Sequence, residues 1–262
     1  MRVSVLGPLE VEEGNRDITP SAGKPRQLVA LLALHAGEVV PLRGIVEELW
    51  GARPPGNPVQ SVQTYVLNLR RTVDAAGGSW ARARLTTRHT GYQLDLGPDE
   101  LDVRRYERLA GAGRWALDQG DPERASVLLA SALDVWRGPA LVDVPVGGLL
   151  AGKARRLDES RLGVLEARID ADLRLGRHRR VLGELSELNA RYPMHEAVCA
   201  QYMTALYRSG RKWQALEAFR ALRGALVDEL GLEPSRRVRR VHQAILNSDP
   251  ALDAFDERAA TA

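Results

Sequence analysis

The sequence contains few of the features that hold secreted or membrane-spanning proteins together. A single cysteine, Cys199, occurs in 262 residues, so no intramolecular disulfide can form, which is typical of a protein in a reducing compartment. The longest uninterrupted apolar run, residues 28–34, has seven residues, whereas a membrane-spanning helix needs roughly 18 or more. The N-terminus also lacks the long apolar stretch of a signal peptide. These absences predict a cytoplasmic protein that does not enter a membrane.

Motifs of catalysis are also missing from the chain. It has no Gly-x-Ser-x-Gly, no glycine-rich dinucleotide turn and no histidine pair at metal-ligand spacing, and its five histidines are scattered. Cys199 stands among small and apolar neighbours, which predicts a buried thiol and not a nucleophile. We therefore predict that the protein is not an enzyme and uses no cofactor.

The sequence has only a small excess of positive charge, because its 37 basic residues and 34 acidic residues leave a formal net charge of +3. Such an excess is not by itself a signature of nucleic-acid binding, so the location of the charges matters more. Apolar residues make up 44% of the chain and charged residues 27%, which excludes disorder as the main state and predicts one large globular domain or two ordinary ones.

The first 96 residues differ from the rest because they mix short strands with helices. Apolar spacing predicts strands near residues 3–6 and 9–12, a turn at 15–17, and helices at 25–35, 42–50 and 59–76. A brief extended link at 39–40 precedes the second helix. A stiff loop at 52–58 precedes the third helix, and a hairpin at 84–96 follows it. Three helices closed by a hairpin predict a winged helix-turn-helix, whose third helix enters the major groove of DNA.

The third helix has two chemically different faces. Its core face is predicted to carry Val62, Tyr65, Val66, Leu69 and Val73, and no acidic residue occurs from 59 to 73. Amides pair bidentately with adenine and arginine with guanine, so the opposite face suits base reading. The residues predicted to contact the major groove or the backbone are Gln60, Gln63, Thr64, Asn68, Arg70 and Arg71. An ordinary polar helix face remains the alternative.

Basic residues also mark the predicted hairpin. Arg84, Arg88 and His89, with Arg82 before them, are expected to form a wing that contacts the DNA backbone or minor groove. Arginines that only keep a surface hairpin soluble are the alternative.

The second half is predicted to be all helical and repetitive. Gly176 and Gly210 stand 34 residues apart, which is the tetratricopeptide period, and residues 118–122 suggest an earlier, degenerate unit. Stacked helix pairs bury a shared core and suit contacts with proteins. Four aromatic residues are expected to be core or groove anchors: Trp115, Trp136, Tyr202 and Trp213. A basic run at 236–240 is either a solvated face or a contact with DNA or an acidic partner.

Several motifs in the same order resemble the Streptomyces antibiotic regulatory protein family. They are Val-Leu-Gly-Pro-Leu at 5–9, Leu-Trp-Gly at 49–51, Pro-Pro at 54–55, Ser-Val-Gln-Thr-Tyr-Val-Leu-Asn-Leu-Arg-Arg at 61–71, Gly-Tyr-Gln-Leu at 91–94 and Trp-Arg-Gly-Pro-Ala-Leu at 136–141. The resemblance implies an α+β winged helix-turn-helix domain of the response-regulator type at 1–97, followed by an all-α tetratricopeptide-like array, the bacterial transcriptional activator domain, at 98–250. Residues 251–262 are expected to be a flexible tail.

The resemblance also implies a function and partners. Members of the family are pathway-specific activators of antibiotic biosynthesis that bind double-stranded promoter DNA, self-associate as two protomers on direct repeats, and recruit RNA polymerase holoenzyme. The polymerase contact would fall on the loop residues Arg53, Pro54, Pro55 and Asn57. The chain has no phosphate-binding Gly-x-x-x-x-Gly-Lys-Ser/Thr motif, so it resembles the small form of the family, without nucleotide control.

Three positions depart from the family pattern. Leu67 and Asn68 replace the usual Ser-Arg in the middle of the third helix, which predicts an altered operator preference. Ala52 stands where an acid commonly follows Trp-Gly, which puts in doubt any polymerase contact made by that acid. The alternative function is a tetratricopeptide-like interaction scaffold without a DNA role.

Overall fold

The computed structural model describes residues 1–77 and 84–252, and these form two compact units. The first unit combines Met1–Leu109 with Ser131–Leu162, and the second combines Ala110–Ala130 with the chain from Gly163 onward. The fold class expected from the sequence is confirmed, with a small β-containing winged helix followed by an array of helices. The tail predicted at 251–262 is wrong for its first two residues, which belong to a 3-10 turn (Pro250–Leu252), and the rest of it lies outside the described residues.

A small antiparallel sheet opens the first unit. Its strands are β1 (Arg2–Ser4), β2 (Glu10–Glu13) and β3 (Arg16–Asp17), in the order β1-β2-β3. The turn predicted at 15–17 is wrong, because Arg16 and Asp17 pair with β2 as a strand. Gly14 adopts a φ of +58°, which permits a tight turn and lets the chain resume an extended conformation at Arg16, two residues earlier than expected.

The winged helix follows in the predicted order. It consists of α1 (Gly23–Leu34), β4 (Val39–Pro41), α2 (Leu42–Trp50), α3 (Pro58–Ala75), β5 (Leu85–Arg88) and β6 (Gly91–Leu94). The second sheet is antiparallel with the order β4-β6-β5, so the hairpin packs beside the extended link between the first two helices. Gly91 packs against the Val40 carbonyl so closely that a Cβ there would lie 2.0 Å from the oxygen, which explains a glycine at the start of β6.

The remaining regular elements of the described chain are helical. They are α4 (Asp102–Asp118), α5 (Pro122–Leu133), α6 (Gly148–Arg174), α7 (His178–Arg191), α8 (Glu196–Arg208), α9 (Lys212–Leu230), α10 (Arg236–Asn247) and a 3-10 turn (Pro250–Leu252). The turn glycines predicted from the repeat, Gly176 and Gly210, have φ values of +72° and +76°. Both therefore sit in the left-handed conformation that ends one helix before the next begins.

One hydrophobic cluster in the core of the second unit is formed by α8, α9 and α10. Cys199, Met203, Phe219, Leu222 and Val238 are buried together there, which confirms the prediction of a buried thiol. Burial raises the pKa of Cys199 to about 12.

Of the two alternatives for the four aromatic residues, core or groove anchors, a core position is confirmed for Trp136 and wrong for Trp115 and Trp213, for which a groove role stays a prediction. Trp136 is buried and packs edge-on against Tyr106 at 5.4 Å, and Tyr202 is half-buried. Trp115 is 58% exposed and Trp213 is 67% exposed. On α9 the buried positions are Ala215, Ala218, Phe219, Leu222 and Leu226, so Trp213 lies about 200° from Ala215 around the helix and faces away from that stripe.

Three acidic side chains fasten α2 and the N-terminal segment to later segments of the first unit. Glu48 of α2, only 3% exposed, accepts hydrogen bonds from the backbone amides of Gly147 (2.6 Å) and Leu149 (2.8 Å) at the start of α6. Asp102 accepts from two amides of the loop after β1, and Asp143 accepts from the Leu9 amide at 2.8 Å. These hydrogen bonds tie α2 and the loop after β1 to partners that lie 96 to 134 positions away in sequence.

Candidate nucleic-acid interface

The start of α3 is fixed by its own capping residues. The Asn57 side chain accepts a hydrogen bond from the Gln60 amide at 3.1 Å, and Pro58 occupies the first helical position. Both residue types favour these positions, because asparagine satisfies a free amide and proline has none to satisfy. The helix therefore leaves the loop at a defined residue and in a defined direction.

The two faces of α3 are those predicted from the sequence. Val62, Val66, Leu69 and Val73 are buried, and Tyr65 is half-buried with its ring 6.4 Å from that of Trp50. The opposite side carries exposed Gln60, Gln63, Thr64, Leu67, Asn68 and Arg71. The first carboxylate along the helix is that of Asp74, in its last turn. A strip more than three turns long is therefore polar and free of negative charge.

The exposed side chains differ in how far they are engaged by α3 itself. Thr64 donates to the Gln60 carbonyl at 2.9 Å, and the Gln60 side chain accepts from Asn57 at 3.1 Å. The side chains of Gln63, Asn68 and Arg71 make no hydrogen bond or ion pair with any described residue. Those three groups are free to meet a ligand without breaking an interaction inside the protein.

Arg70 is placed differently from its neighbour Arg71. Its guanidinium donates to the Leu85 carbonyl from Nε (3.1 Å) and Nη2 (2.6 Å), and Nη2 also reaches the Thr87 hydroxyl at 3.1 Å. The side chain is half-buried and ties α3 to β5. Its contact with DNA stays a prediction, and the structure gives it a role in positioning the hairpin.

The hairpin presents two of its predicted basic residues at the tip. Arg88 and His89 are exposed, and Arg88 Nε donates to the Gln93 side chain at 2.9 Å, which orients the arginine. Arg82 lies outside the described residues. The wing therefore offers an oriented cation and an imidazole beside the turn between β5 and β6.

Arg84 lies at the base of the hairpin, where it forms an ion pair with Glu100. Burial raises the pKa of Glu100, but hydrogen bonds from the Gly97 amide, the N-terminal amine and Arg84 outweigh burial and lower it overall. The carboxylate is thus held charged. Arg84 therefore has a structural partner that Arg88 and His89 do not share.

The loop before α3 is exposed along its length. Arg53, Pro54, Pro55 and Asn57 all face solvent. Two prolines restrict its backbone and Asn57 is fixed by its capping bonds, so the loop is a stiff projection beside the N-terminus of α3.

Sequence patterns did not single out Glu48, Asp102 or Asp143, which fasten α2 and the N-terminal segment. A signal existed for Glu48, since it shares the helical face of Ile45 and Leu49, both buried, and a carboxylate on such a face must find donors. The other two could not be distinguished from solvated acids by local pattern.

Metal-binding clusters and membrane spans are both absent from the part of the chain that the structure describes. Within residues 1–77 and 84–252, no group of three or more histidine, cysteine or acidic side chains is arranged to hold a metal ion. None of the helices in those ranges is long and apolar enough to cross a membrane.

Two family models match successive parts of the chain. The model described as "Transcriptional regulatory protein, C terminal" matches residues 19–94, and the "Bacterial transcriptional activator domain" matches residues 101–246. The first range contains α3 and the hairpin, and the second contains the helical array. Fold and interface together define a winged-helix transcriptional regulator with an activator domain.

The relatives are similar over nearly the whole chain. The regulatory protein DnrI of Streptomyces peucetius is 50% identical over 257 residues, which is 97% of this chain and 94% of the relative. The transcriptional regulator RedD of Streptomyces coelicolor is 40% identical over 258 residues, 96% of this chain and 72% of that protein. A structure of EmbR from Mycobacterium tuberculosis in complex with a low-affinity phosphopeptide matches with a TM-score of 0.91 at 30% identity, covering 99% of this chain and 69% of that one.

The chain therefore belongs to the Streptomyces antibiotic regulatory protein family. It is a DNA-binding transcriptional activator of antibiotic biosynthesis and not an enzyme, as the sequence predicted. The alternative of a scaffold without a DNA role does not agree with this membership.

Proposed function

We propose that α3 lies in the major groove of promoter DNA and reads base edges with Gln63, Asn68 and Arg71. One observation supports this most directly: these three side chains are exposed and uncommitted, on a helix that carries no carboxylate before Asp74 and whose other face is fixed in the core. Two amides and a guanidinium are the groups that pair bidentately with adenine and guanine. Gln60 and Thr64, engaged with the first turn of the helix, would contact the sugar-phosphate backbone or the nearest base.

The wing would add contacts that position the protein without reading sequence. Arg88 and His89 at the hairpin tip would meet the backbone or the adjacent minor groove. Arg84 and Arg70, both engaged with protein groups, would contribute positive potential from the base of the wing and release fewer counterions than Arg88.

Beyond DNA, we propose partners that follow from family membership and from an exposed loop. The stiff projection formed by Arg53, Pro54, Pro55 and Asn57 would contact RNA polymerase holoenzyme, and two protomers would self-associate side by side on direct repeats of the operator. A protein that works at a promoter would be located in the cytoplasm, where the chromosome lies.

The test is a binding measurement on a promoter fragment defined by protection mapping. Arg71→Ala should lower specific affinity by roughly 1–3 kcal/mol, because the side chain is free to bind DNA and holds no other part of the protein in place. Arg88→Ala should weaken binding about equally at all sites and leave the pattern of protected bases unchanged.

The matched control is Arg105→Ala, an equally exposed arginine on α4, which should bind as the wild type does. Thermal melting of each variant excludes a folding defect. Wild-type affinity in Arg71→Ala would refute the assignment of α3, and loss of protection at a single base pair in Arg88→Ala would contradict the role given to the wing.

A further inference from the structure

The last helix of the array, α10, carries an arginine face that the DNA reading proposed for α3 does not use. Its first five residues include Arg236, Arg237, Arg239 and Arg240, and the whole helix contains no acidic residue. All four arginines are exposed, and none forms a hydrogen bond or ion pair with a described residue. Val238 and Ile245, on the other side of α10, are buried in the core of the second unit.

This arrangement works against the stability of the helix. The helix dipole is positive at the N-terminus and disfavours cations in the first turn, and Arg236 repels Arg240 one turn on. Glutamate or aspartate would be the favourable choice at such positions. Four arginines placed there concentrate positive potential at a cost to folding, as expected of a surface that meets an anion.

Two carboxylates lie near the four arginines and offset their charge only in part. The pKa of Glu233 is lowered mainly by its hydrogen bond with Arg223 and more weakly by the charge of Arg239. Glu233 is bound bidentately by Arg223, with distances of 2.6 and 2.8 Å, and Glu196 accepts a hydrogen bond from the Ser235 amide at 2.6 Å. Both are thus committed to other groups. Arg220 of α9 lies close enough to His242 to act on its charge, so the basic character extends onto the neighbouring helix.

The chemistry of the face favours one class of partner. Protein interfaces are organised around apolar and aromatic anchors, whereas the first two turns of α10 expose guanidinium groups and the exposed apolar side chain of this helix, Leu246, lies in its last turn. Single-stranded nucleic acid is bound by stacking on aromatic rings, and His242, the one aromatic side chain of α10, is already stacked on Phe219 at 3.8 Å. An acid-free set of arginines without anchors suits the phosphate backbone of duplex DNA.

We infer that Arg236, Arg237, Arg239 and Arg240 form a second DNA-binding surface, which contacts the phosphate backbone without reading sequence. This surface goes beyond the base reading proposed for α3. It would extend the contact with duplex DNA and raise affinity for any sequence, leaving the choice of operator to α3.

The experiment measures binding of the full chain to a random-sequence duplex of about 40 base pairs, as a function of KCl concentration. Replacing the four arginines by alanine should reduce the magnitude of the log–log salt slope by about 0.9 for each phosphate that the variant no longer neutralises, and lower affinity about tenfold or more at low salt. The same variant on operator DNA should keep the wild-type pattern of protected bases.

Two controls separate charge from folding and from general basicity. The corresponding four-lysine variant keeps the charges and should retain most of the slope. The double variant Arg179→Ala, Arg180→Ala removes an exposed arginine pair from the first turn of α7, a helix that also carries Glu184 and Glu187, and should bind as the wild type does.

An unchanged slope in the four-alanine variant would overturn the inference, as would an equal decrease in the α7 control. Unchanged DNA binding with abolished binding to polyglutamate would overturn it too and assign the face to an acidic protein. Because the random duplex does not require base reading, failure here is distinguishable from failure of the α3 proposal, which Arg71→Ala tests on operator DNA.

Discussion

Removal of the charge from Glu48 should loosen the attachment of the helix-turn-helix to the rest of the first unit. Glu48 Oε1 accepts from the Gly147 amide (2.6 Å) and the Gln27 side chain (3.2 Å), while Oε2 accepts from the Leu149 amide (2.8 Å). Gly147 permits this approach, since a Cβ there would lie 2.8 Å from the carboxylate. In Glu48→Gln one oxygen becomes an amide nitrogen that faces donors.

The expected cost follows from those hydrogen bonds. A hydrogen bond to a charged acceptor contributes about 1.5–3 kcal/mol, and a donor left buried without an acceptor costs about 1–3 kcal/mol. A negative charge at the N-terminus of a helix such as α6 adds roughly 0.3–1 kcal/mol, and up to about 2 when partly buried. Because the glutamine retains one accepting oxygen, we expect the free energy of unfolding to fall by about 2–4 kcal/mol.

The assay is urea unfolding followed by circular dichroism, together with hydrogen exchange at the amides of Gly147 and Leu149. The matched control is Glu47→Gln, since Glu47 is the exposed neighbour of Glu48 on the same helix, and its change should stay within about 0.5 kcal/mol. Equal stability of the two variants, with unchanged exchange at both amides, would refute the view that Glu48 holds α6.

Two further predictions concern buried titratable groups. Burial raises the pKa of Asp102 above its ordinary value of 3.8, against hydrogen bonds from Leu6 and Val5. Protonation of Asp102 therefore stabilises the folded protein fully below pH 3.8, and this stabilisation is lost as the pH rises from 3.8 through the folded pKa. Over that pH range, the free energy of unfolding of the wild type should fall relative to that of Asp102→Asn. A difference in urea midpoints that does not change with pH would contradict this prediction. Cys199, with its pKa near 12, should have about 10⁻⁴ of its thiol ionised at pH 8 and react with Ellman's reagent only after unfolding; rapid labelling of folded protein would disprove it.

Local patterns predicted those elements whose signals are themselves local. The helix predicted at 42–50 is observed as Leu42–Trp50, because Ile45 and Leu49 repeat at helical spacing and Gly51 follows directly with a φ of +57°. The turn before β3 lies at Gly14 and Asn15, a Gly-Asn pair that is itself a two-residue hairpin signal, so its position was within reach of local patterns. Trp115 and Trp213 are exposed although tryptophan is buried in most proteins, because position around the helix decides which side chains face the core.

Contacts between distant segments were beyond the reach of such patterns. The first compact unit includes Ser131–Leu162, and those residues hold the winged helix through Asp143 and through the amides that bind Glu48. Periodicity describes one helix at a time and carries no information on which helix packs against it. The boundary predicted at residue 97 separates the sequence motifs of the two domains. The compact units are instead defined by which residues pack together, and the first unit therefore also includes Ser131–Leu162.

Arg70 and Arg71 show how the same limit applies to the candidate interface. The two residues are adjacent, identical and on one acid-free helix, so local patterns assign both the same role. A helix turns by about 100° per residue, and this rotation brings Arg70 onto the Leu85 carbonyl while Arg71 remains in solvent. A double substitution would displace the wing and remove a base-reading group at the same time. Only single substitutions, compared in affinity and in stability, separate the residue that builds the interface from the residue that would use it.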